Sequence, residues 1–464
     1  MNKPKRILQI AIAAALAGWT AGSYSAGFAL IEQNGSGLGN SYAGQAATAE
    51  DASTIFFNPA GMSRLPGTQA VIGVDGIKPS AKFSNSASTV PSIPGSPPIG
   101  GVPYPLGPNG RDAGDWAYVP HVYLSTQLSP QINIGLGIGA PFGLKTEYDP
   151  NWAGRFYAIK SDLKTVNINP SLSYKVNDRF SLGFGIDYQH ITATVTNAVN
   201  YSAVAASAIA GGAPLALFGP IATAPTEGVA NVSGSDNAWG YNFGAMFDVS
   251  PATRVGLSYR SQIKYTLSGT VNFTNTPAAF GLVPAVASQL AAGNVTADVK
   301  LPDSLSAALF SKITPQWDVM ADLTWTHWSV FQNLTFVRAG GAVLASTPEN
   351  WKNTWRAGLG ANYHYNDAWT LRVGTAYDKS PVPDAFRTPR IPDNDRTWLS
   401  IGAQYKVSKA GAVDIGYAHL WVSNSTINLP APGYPATSAA SSGTLVGTSS
   451  NKVDIVSVQY RHNF

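Results

Sequence analysis

Hydrophobic and polar positions alternate with a period of two along most of the chain. Over residues 254–267 one face reads Val255, Leu257, Tyr259, Ser261, Ile263, Tyr265 and Leu267. The other reads Arg254, Gly256, Ser258, Arg260, Gln262, Lys264 and Thr266. Residues 355–363 and 369–377 divide in the same way, with Arg356, Gly358, Gly360 and Asn362, then Arg372 and Gly374, on the polar side. Each run predicts a strand with one apolar and one polar face. Short connections at 129–131, 177–179, 250–253, 314–316, 366–368 and 408–411 carry the Pro, Asn, Asp or Gly that tight turns require. Between them lie longer irregular stretches at 85–116, 144–162, 199–236, 274–297, 338–350, 379–395 and 423–450. These short turns and long loops together join fourteen predicted strands, and no internal repeat suggests a propeller or solenoid.

Alternation alone fits both a soluble sandwich, polar side out, and a membrane barrel, apolar side out. The aromatics Trp317, Trp325, Trp369, Trp398 and Trp421 near strand ends favour the barrel, because bilayer interfaces hold such girdles. Composition points the same way. Only 12% of the 464 residues are charged, about half the usual ~25%. There is no Cys, which excludes disulfides, thiolate metal sites and Cys nucleophiles. Lys3 and Arg6 flank a positive start, residues 7–17 are nearly all apolar, and Ser23 and Ser25 suit cleavage. Residues 1–25 are therefore read as a removable signal peptide. Without Lys3, Lys5 and Arg6 the 30 basic residues fall to 27 against 26 acidic, which leaves no footprint for nucleic acid.

Residues 26–66 do not alternate. They are rich in Gly and Ala and hold Asn58, Pro59, Ala60 and Gly61 after the apolar run 55–57. A lumen of fourteen strands is too wide for side chains to fill. This segment is expected inside as a plug, a periplasmic tail being the alternative; residues 67–464 form the barrel. The last strand ends on aromatic Phe464, as assembly signals of outer-membrane barrels do.

Ala26-Gly27-Phe28, Gly35-Ser36-Gly37-Leu38-Gly39, Tyr42-Ala43-Gly44 and Asn58-Pro59-Ala60 resemble the mature start of the FadL/TodX outer-membrane transporters. Matches continue at Phe142-Gly143-Leu144, Tyr259-Arg260-Ser261 and Leu301-Pro302, and through Ser380-Pro381-Val382-Pro383 to Ile391-Pro392-Asp393-Asn394-Asp395-Arg396 and Trp398-Leu399-Ser400. The resemblance implies an all-β, fourteen-stranded antiparallel barrel closed by an N-terminal hatch. It implies passage of long-chain fatty acids or other hydrophobic molecules across the outer membrane, with no cofactor or metal. Outer-membrane lipid and lipopolysaccharide, the barrel assembly machinery and a monomeric state complete that expectation.

Two apolar loops offer an entrance. Residues 203–224 carry Leu215, Leu217 and Phe218, and residues 277–292 carry Phe280, Leu282 and Val283. Exposed apolar segments of this size mark binding, though the loops can also pack on each other as a lid. Gly139, Ala140, Pro141, Phe142 and Gly143 fall on the third strand, where Gly and Pro weaken pairing. The resemblance makes this an inward kink with a lateral opening; a bulge without a gap is the alternative. Arg260, Lys264, Arg356 and Arg372 are expected to face the lumen, either as carboxylate contacts or in ion pairs with Asp318, Asp322 and the hatch. Residues 191–199 and 339–348, where the resemblance places carboxylate-holding cations, contain no Lys or Arg. That lends weight to neutral aromatic hydrocarbons or alkanes as cargo. A barrel enzyme is disfavoured by the scatter of the histidines, and a general porin by the apolar loops.

Overall fold

The computed structural model describes residues 26–91, 105–435 and 438–464. The expected signal peptide lies outside them. Fourteen antiparallel strands cross the barrel wall: β1 Thr68–Asn85, β2 Ala117–Gln127, β3 Ile132–Gly139 continued by Gly143–Glu147, β4 Lys160–Lys175 and β5 Phe180–Asn200. There follow β6 Glu227–Asp248, β7 Thr253–Arg260 continued by Ile263–Phe273, and β8 Gly293–Leu301 continued by Ser304–Lys312. The last six are β9 Trp317–Thr326, β10 Thr354–His364, β11 Trp369–Asp378, β12 Arg396–Lys406, β13 Gly411–Val422 and β14 Leu445–Asn463. The barrel closes where β14 pairs with β1, from Gln69↔Asn463 to Asn85↔Gly447. A small hairpin, Asn333–Arg338 and Val343–Pro348, rises from the connection between β9 and β10. No helix among the described residues is long and apolar enough to cross a membrane.

The alternation becomes a sided wall. Ile72, Leu136, Phe184, Leu257, Leu309, Leu359 and Ile401 stand exposed on the outer face. Trp317 and Trp325 are exposed near the two ends of β9. They are about eight residues apart, which at ~3.3 Å per residue and ~40° of tilt separates them by about 20 Å, close to the ~25 Å apolar band of such barrels. Trp355, Trp369 and Trp421 are likewise exposed, but Trp398 is not. It is fully buried in the lumen, 6.4 Å from the Tyr42 ring and under the Arg356 guanidinium. Its neighbours in β12 show why: Leu399 and Ile401 take the outward positions.

One feature of β7 and β8 departs from simple alternation. In the lower part of β7, Gly256 and Ser258 are buried and Val255 and Leu257 are exposed. Past Ser261 and Gln262 the assignment inverts: Ile263, Tyr265 and Leu267 are buried, and Lys264 and Thr266 are exposed. Pro302 and Asp303 do the same for β8, with Val295, Ala297, Val299 and Leu301 inside above them and Leu305 and Leu309 outside below. The β7–β8 register is the same on both sides of the breaks, Ser304↔Arg260 and Leu301↔Ile263. Against β6, however, β7 slips by one residue, from Asn242↔Arg260 to Ser235↔Ser268, and a one-residue slip exchanges the two faces of a strand. Below the breaks the outer surface is apolar; above them it is polar and the apolar side chains line the interior.

The hatch, residues 26–66, folds inside as helices α1 Gly35–Leu38, α2 Gln45–Thr48 and α3 Thr54–Phe57 and a 3₁₀ turn, Pro59–Arg64. Nearly all of it is buried. Asn40 donates to Ala361 O and to Asn362 Oδ1, both at 3.0 Å, and the Ser41 and Ser400 hydroxyls lie 2.7 Å apart. Wall glycines admit this backbone. A Cβ on Gly374 would collide with the Asn40 main chain, and one on Gly256 with that of Ala46.

Candidate functional site: a kinked wall, an aromatic cluster and three cavities

The β2–β3 ladder runs from Gln127↔Asn133 to Val122↔Ile138 and stops there. Among the described residues, 117–121 of β2 then pair with β1 alone and Gly143–Glu147 with β4 alone. Pro141 has no N–H for a ladder bond. The two edges meet again where Glu147 N donates to Ala113 O (3.0 Å), Arg111 Nε to Glu147 O (3.3 Å) and Lys145 Nζ to Asp115 Oδ2 (3.4 Å). The hatch occupies the inner side of this gap. Leu30 N donates to Pro141 O (2.7 Å), Gly143 N to Phe28 O (3.0 Å) and Gln33 Nε2 to Ala140 O (2.8 Å). From β4, Thr165 Oγ1 accepts from Phe142 N at 3.0 Å. Gly139, Ala140, Pro141, Phe142 and Gly143 are therefore brought together with residues 28–33.

Asn58, Pro59, Ala60 and Gly61 lie elsewhere. Asn58 Nδ2 donates to Ala46 O (2.6 Å) and to Ala245 O on β6 (3.1 Å), while Asn58 Oδ1 accepts from Ala60 N (3.1 Å). Gly183 and Gly244 make room for Pro59 and Asn58. These four residues anchor the hatch to β5 and β6, and the kink is held by the Phe28 segment instead.

Phe28 stands in a cluster of rings. Its centroid is 4.8 Å from Trp328, 5.7 Å from Phe331, 5.6 Å from Trp351 and 6.1 Å from Phe142. Trp328 and Trp351 are fully buried. Gly27, at φ +70°, fits against both indoles, and its N–H donates to Asp393 Oδ2 at 2.9 Å. Sequence reasoning noted Phe28 as a motif residue and missed its partners, which come from the β9–β10 connection.

Cavities lie above and below this cluster. Above it, a narrow apolar pocket encloses about 780 Å³ of space between atoms, its mouth included, lined by Leu163, Val195, Leu267, Val295, Val299 and Leu334. Phe28 forms part of its floor, and Glu349 and Arg390 complete the lining. Below it, a wider and more polar cavity of about 1110 Å³ touches Leu30, Ile31, Pro141 and Phe142 on one side and Ser304, Thr324, Arg260 and Arg356 on the other. At the outer ends of the strands an open groove of about 1510 Å³ of space between atoms, its mouth included, runs between the loop helices, lined by Val199, Val204, Ala208, Val283 and Val286.

The loop residues divide. The third long loop forms helices α4 Tyr201–Ala210 and α5 Leu215–Ala222; the fourth forms α6 Pro284–Leu290 after a short 3₁₀ turn. Phe218 and Phe280 are buried, stacked at 5.5 Å, in a core shared by both loops, with Leu217 and Val283 packed against it. Leu215 and Leu282 are exposed. Of the six expected groove residues only Val283 lines the groove: Leu217, Phe218 and Phe280 are used to hold the loops together, and Leu215 and Leu282 point to solvent.

The expected lumenal cations are mostly engaged. Arg260 pairs with Asp187 at 2.6 Å and donates to Phe56 O at 2.9 Å. Arg356 pairs with Asp322 at 3.3 Å and bonds Ser41 O; Arg372 pairs with Asp414 at 2.9 Å and with Glu50. All three tie the wall to itself or to the hatch. Lys264 does not face the lumen: the break at Ser261–Gln262 turns it to the outer surface.

Residues 15–464 match the family model described as outer membrane protein transport protein (OMPP1/FadL/TodX). The long-chain fatty acid transport protein of Escherichia coli O6:H1 is 30% identical over 428 residues, 90% of this chain and 92% of that protein. Outer membrane protein P1 of Haemophilus influenzae is 31% identical over 430 residues, 90% of each chain. Among solved structures, a Pseudomonas aeruginosa FadL homologue superposes with a TM-score of 0.83 at 27% identity, covering 95% of this chain and all of that one. The Ralstonia pickettii toluene transporter TbuX, at 20% identity and a TM-score of 0.61 over 92% of this chain and 99% of that one, shares the fold. With a match along almost its whole length, a closed barrel and an internal hatch, the chain belongs to the OMPP1/FadL/TodX family of outer-membrane transport proteins.

Proposed function

We propose that this protein is a passive channel for the uptake of long-chain fatty acids or similar hydrophobic molecules, which enter from the loops and leave sideways through the kinked third strand. The fatty-acid name of its E. coli relative and the hydrocarbon names of its fold neighbours support a hydrophobic cargo. The observation that carries the reading is the ladder break beside the Phe28 segment. Cargo first meets the groove between the loops and then the apolar pocket. Burial of each CH₂ contributes about 0.8 kcal/mol, so a chain of about sixteen carbons gains on the order of 10 kcal/mol by leaving water.

The ring cluster separates the pocket from the cavity beneath, and Phe28 is the member that belongs to the hatch. Moving the Phe28–Leu30 stretch breaks two backbone bonds to the kink, Gly143 N to Phe28 O and Leu30 N to Pro141 O, and opens both the floor of the pocket and the inner side of the gap. Through that gap an apolar chain passes from protein to bilayer without entering the periplasm. Unpaired backbone at membrane depth is tolerated because it lines a cavity and is covered by hatch residues. Deleting Pro141 lets β3 run on and pair with 117–121 of β2. Heat-modifiable barrel is then expected at normal levels, with uptake of radiolabelled hexadecanoate by cells abolished. Wild-type uptake by the deletion variant sinks the lateral route.

A further inference from the structure

We infer that Arg390 and Glu349 form a head-group site at one end of the apolar pocket, which selects a long-chain carboxylate over a neutral chain of equal length. The inference rests on the reading of the pocket as the cargo site. Arg390, in the loop between β11 and β12, donates to Lys160 O (3.1 Å), Ser161 Oγ (3.1 Å), Thr196 O (3.4 Å) and Asn197 Oδ1 (3.3 Å). Every one of these acceptors is neutral. Among the described residues no ion pair engages this guanidinium, unlike Arg260, Arg356 and Arg372. A half-buried charge with only neutral partners is a costly arrangement that an anionic ligand relieves. The guanidinium fork also suits a carboxylate.

Glu349 lines the same pocket, buried, with Trp351 Nε1 donating to its Oε2 at 3.1 Å. Burial pushes its carboxyl up to about 8, against the smaller opposing effects of the Trp351 bond and the Arg390 charge. Burial lowers Arg390 to about 10, which leaves it a cation at neutral pH. The other groups near the pair do not supply a counter-charge. Tyr434 is a phenol that burial pushes up to about 12, and Asp162, on the pocket wall, lies 3.9 Å from Lys160 and 3.6 Å from Lys164.

A neutral Glu349 therefore leaves the Arg390 charge free for cargo and offers an O–H to the incoming carboxylate. Ionised Glu349 is a competing anion beside the same cation. The sign follows: selection for the carboxylate is present below about pH 8 and is lost as pH rises through it. At the acid end it requires cargo above the ordinary carboxyl range, near pH 4–5.

The test is equilibrium binding of radiolabelled hexadecanoate and hexadecan-1-ol to the purified full-length protein in detergent, at pH 7 and pH 9. At pH 7 the wild type is expected to prefer the acid by about tenfold or more. Arg390→Gln is expected to erase that preference while alcohol binding changes by less than about threefold, and Arg390→Lys to restore part of it. Wild-type preference is expected to collapse at pH 9, and in Glu349→Gln that pH dependence disappears. Equal weakening of both ligands in Arg390→Gln makes Arg390 a loop fastener and overturns the inference, as does a wild type that binds the alcohol as well as the acid. A preference that persists unchanged at pH 9 removes Glu349 from the site. A wild type that binds neither ligand overturns the pocket itself as the cargo site, and is distinguishable from these results.

Discussion

At the scale of single residues, the structure shows what the inward face of the wall is for. Its glycines do not merely soften the strands. Gly374 and Gly256 are places where hatch backbone lies directly on wall backbone, and there is no room for a side chain. Gly374→Val should leave the outward stripe of β11 untouched and unseat the 39–41 stretch of the hatch. Limited proteolysis of the detergent-solubilised, heat-modifiable barrel is expected to cut this variant within residues 26–66 and to spare the wild type. Equal protection would show that the hatch is held by its ion pairs alone. The polar faces of 355–363 and 369–377 were legible in the sequence, and so was Asp322 as an ion-pair partner, which Arg356 takes; Asp414, the wall partner of Arg372, was not. For Arg356 and Arg372 the sequence favours ion pairing, with carboxylate contact the alternative; Asp322, Asp414 and Glu50 stand beside them. Arg390 was overlooked although it directly precedes the Ile391-Pro392-Asp393 motif, because an isolated Arg in a long loop carries no periodic signal.

At the scale of elements, fourteen strands could be counted because the short turns carry strong Pro, Asn, Asp and Gly signals. The inversion of β7 and β8 was hidden by the same regularity. Residues 254–267 alternate in sequence, and the faces change hands only at Ser261 and Gln262, although Ser261 N still donates to Tyr241 O on β6 at 2.8 Å. Pro302 marks the equivalent break in β8 and was the one sequence clue to it. The helices of the third and fourth loops were read only as apolar stretches, since Ala-rich runs interrupted by Gly and Pro have no clear period. The closing strand behaves as its alternation predicts. Phe464 N donates to Thr68 O at 2.8 Å, and its ring is 68% exposed on the outer side, beyond Tyr460 and Val458. Near an interface a charge costs the folded barrel only about 0–1 kcal/mol. Phe464→Asp is therefore expected to lower the yield of inserted barrel while sparing the transport rate per inserted molecule. Normal amounts of heat-modifiable protein in the outer membrane would refute an assembly role for this residue.

At the scale of the whole molecule, the question is how much of the hatch has to move. The bonds that hold it fall into two groups. Asn40, Ser41, Asn58, Ala60 and the partners of Arg254, Arg356, Arg372, Gln459 and Arg461 fasten it to β5–β7, β10–β12 and β14. Only the Phe28–Gln33 stretch fastens it to the kink. An axial route requires the first group to release, which means breaking several buried charge-assisted bonds at once. A lateral route requires the second, a few backbone bonds, one ring and the bonds from Gly27 N to Asp393, from the Tyr123 hydroxyl to Gln33 O and from Gln33 Nε2 to Ala140 O. The absence of Cys makes this separable by cross-linking. The Ser41 and Ser400 hydroxyls are already 2.7 Å apart, so Ser41→Cys with Ser400→Cys places two thiols near the ~2.05 Å sulfur separation of a disulfide. Oxidation then pins the body of the hatch to β12 and leaves residues 28–33 free. The oxidised double variant is expected to take up hexadecanoate at the rate of its reduced form. Uptake that stops on oxidation and returns with reductant would mean that the hatch moves as a body, and that the gap at Pro141 is a structural kink through which nothing passes.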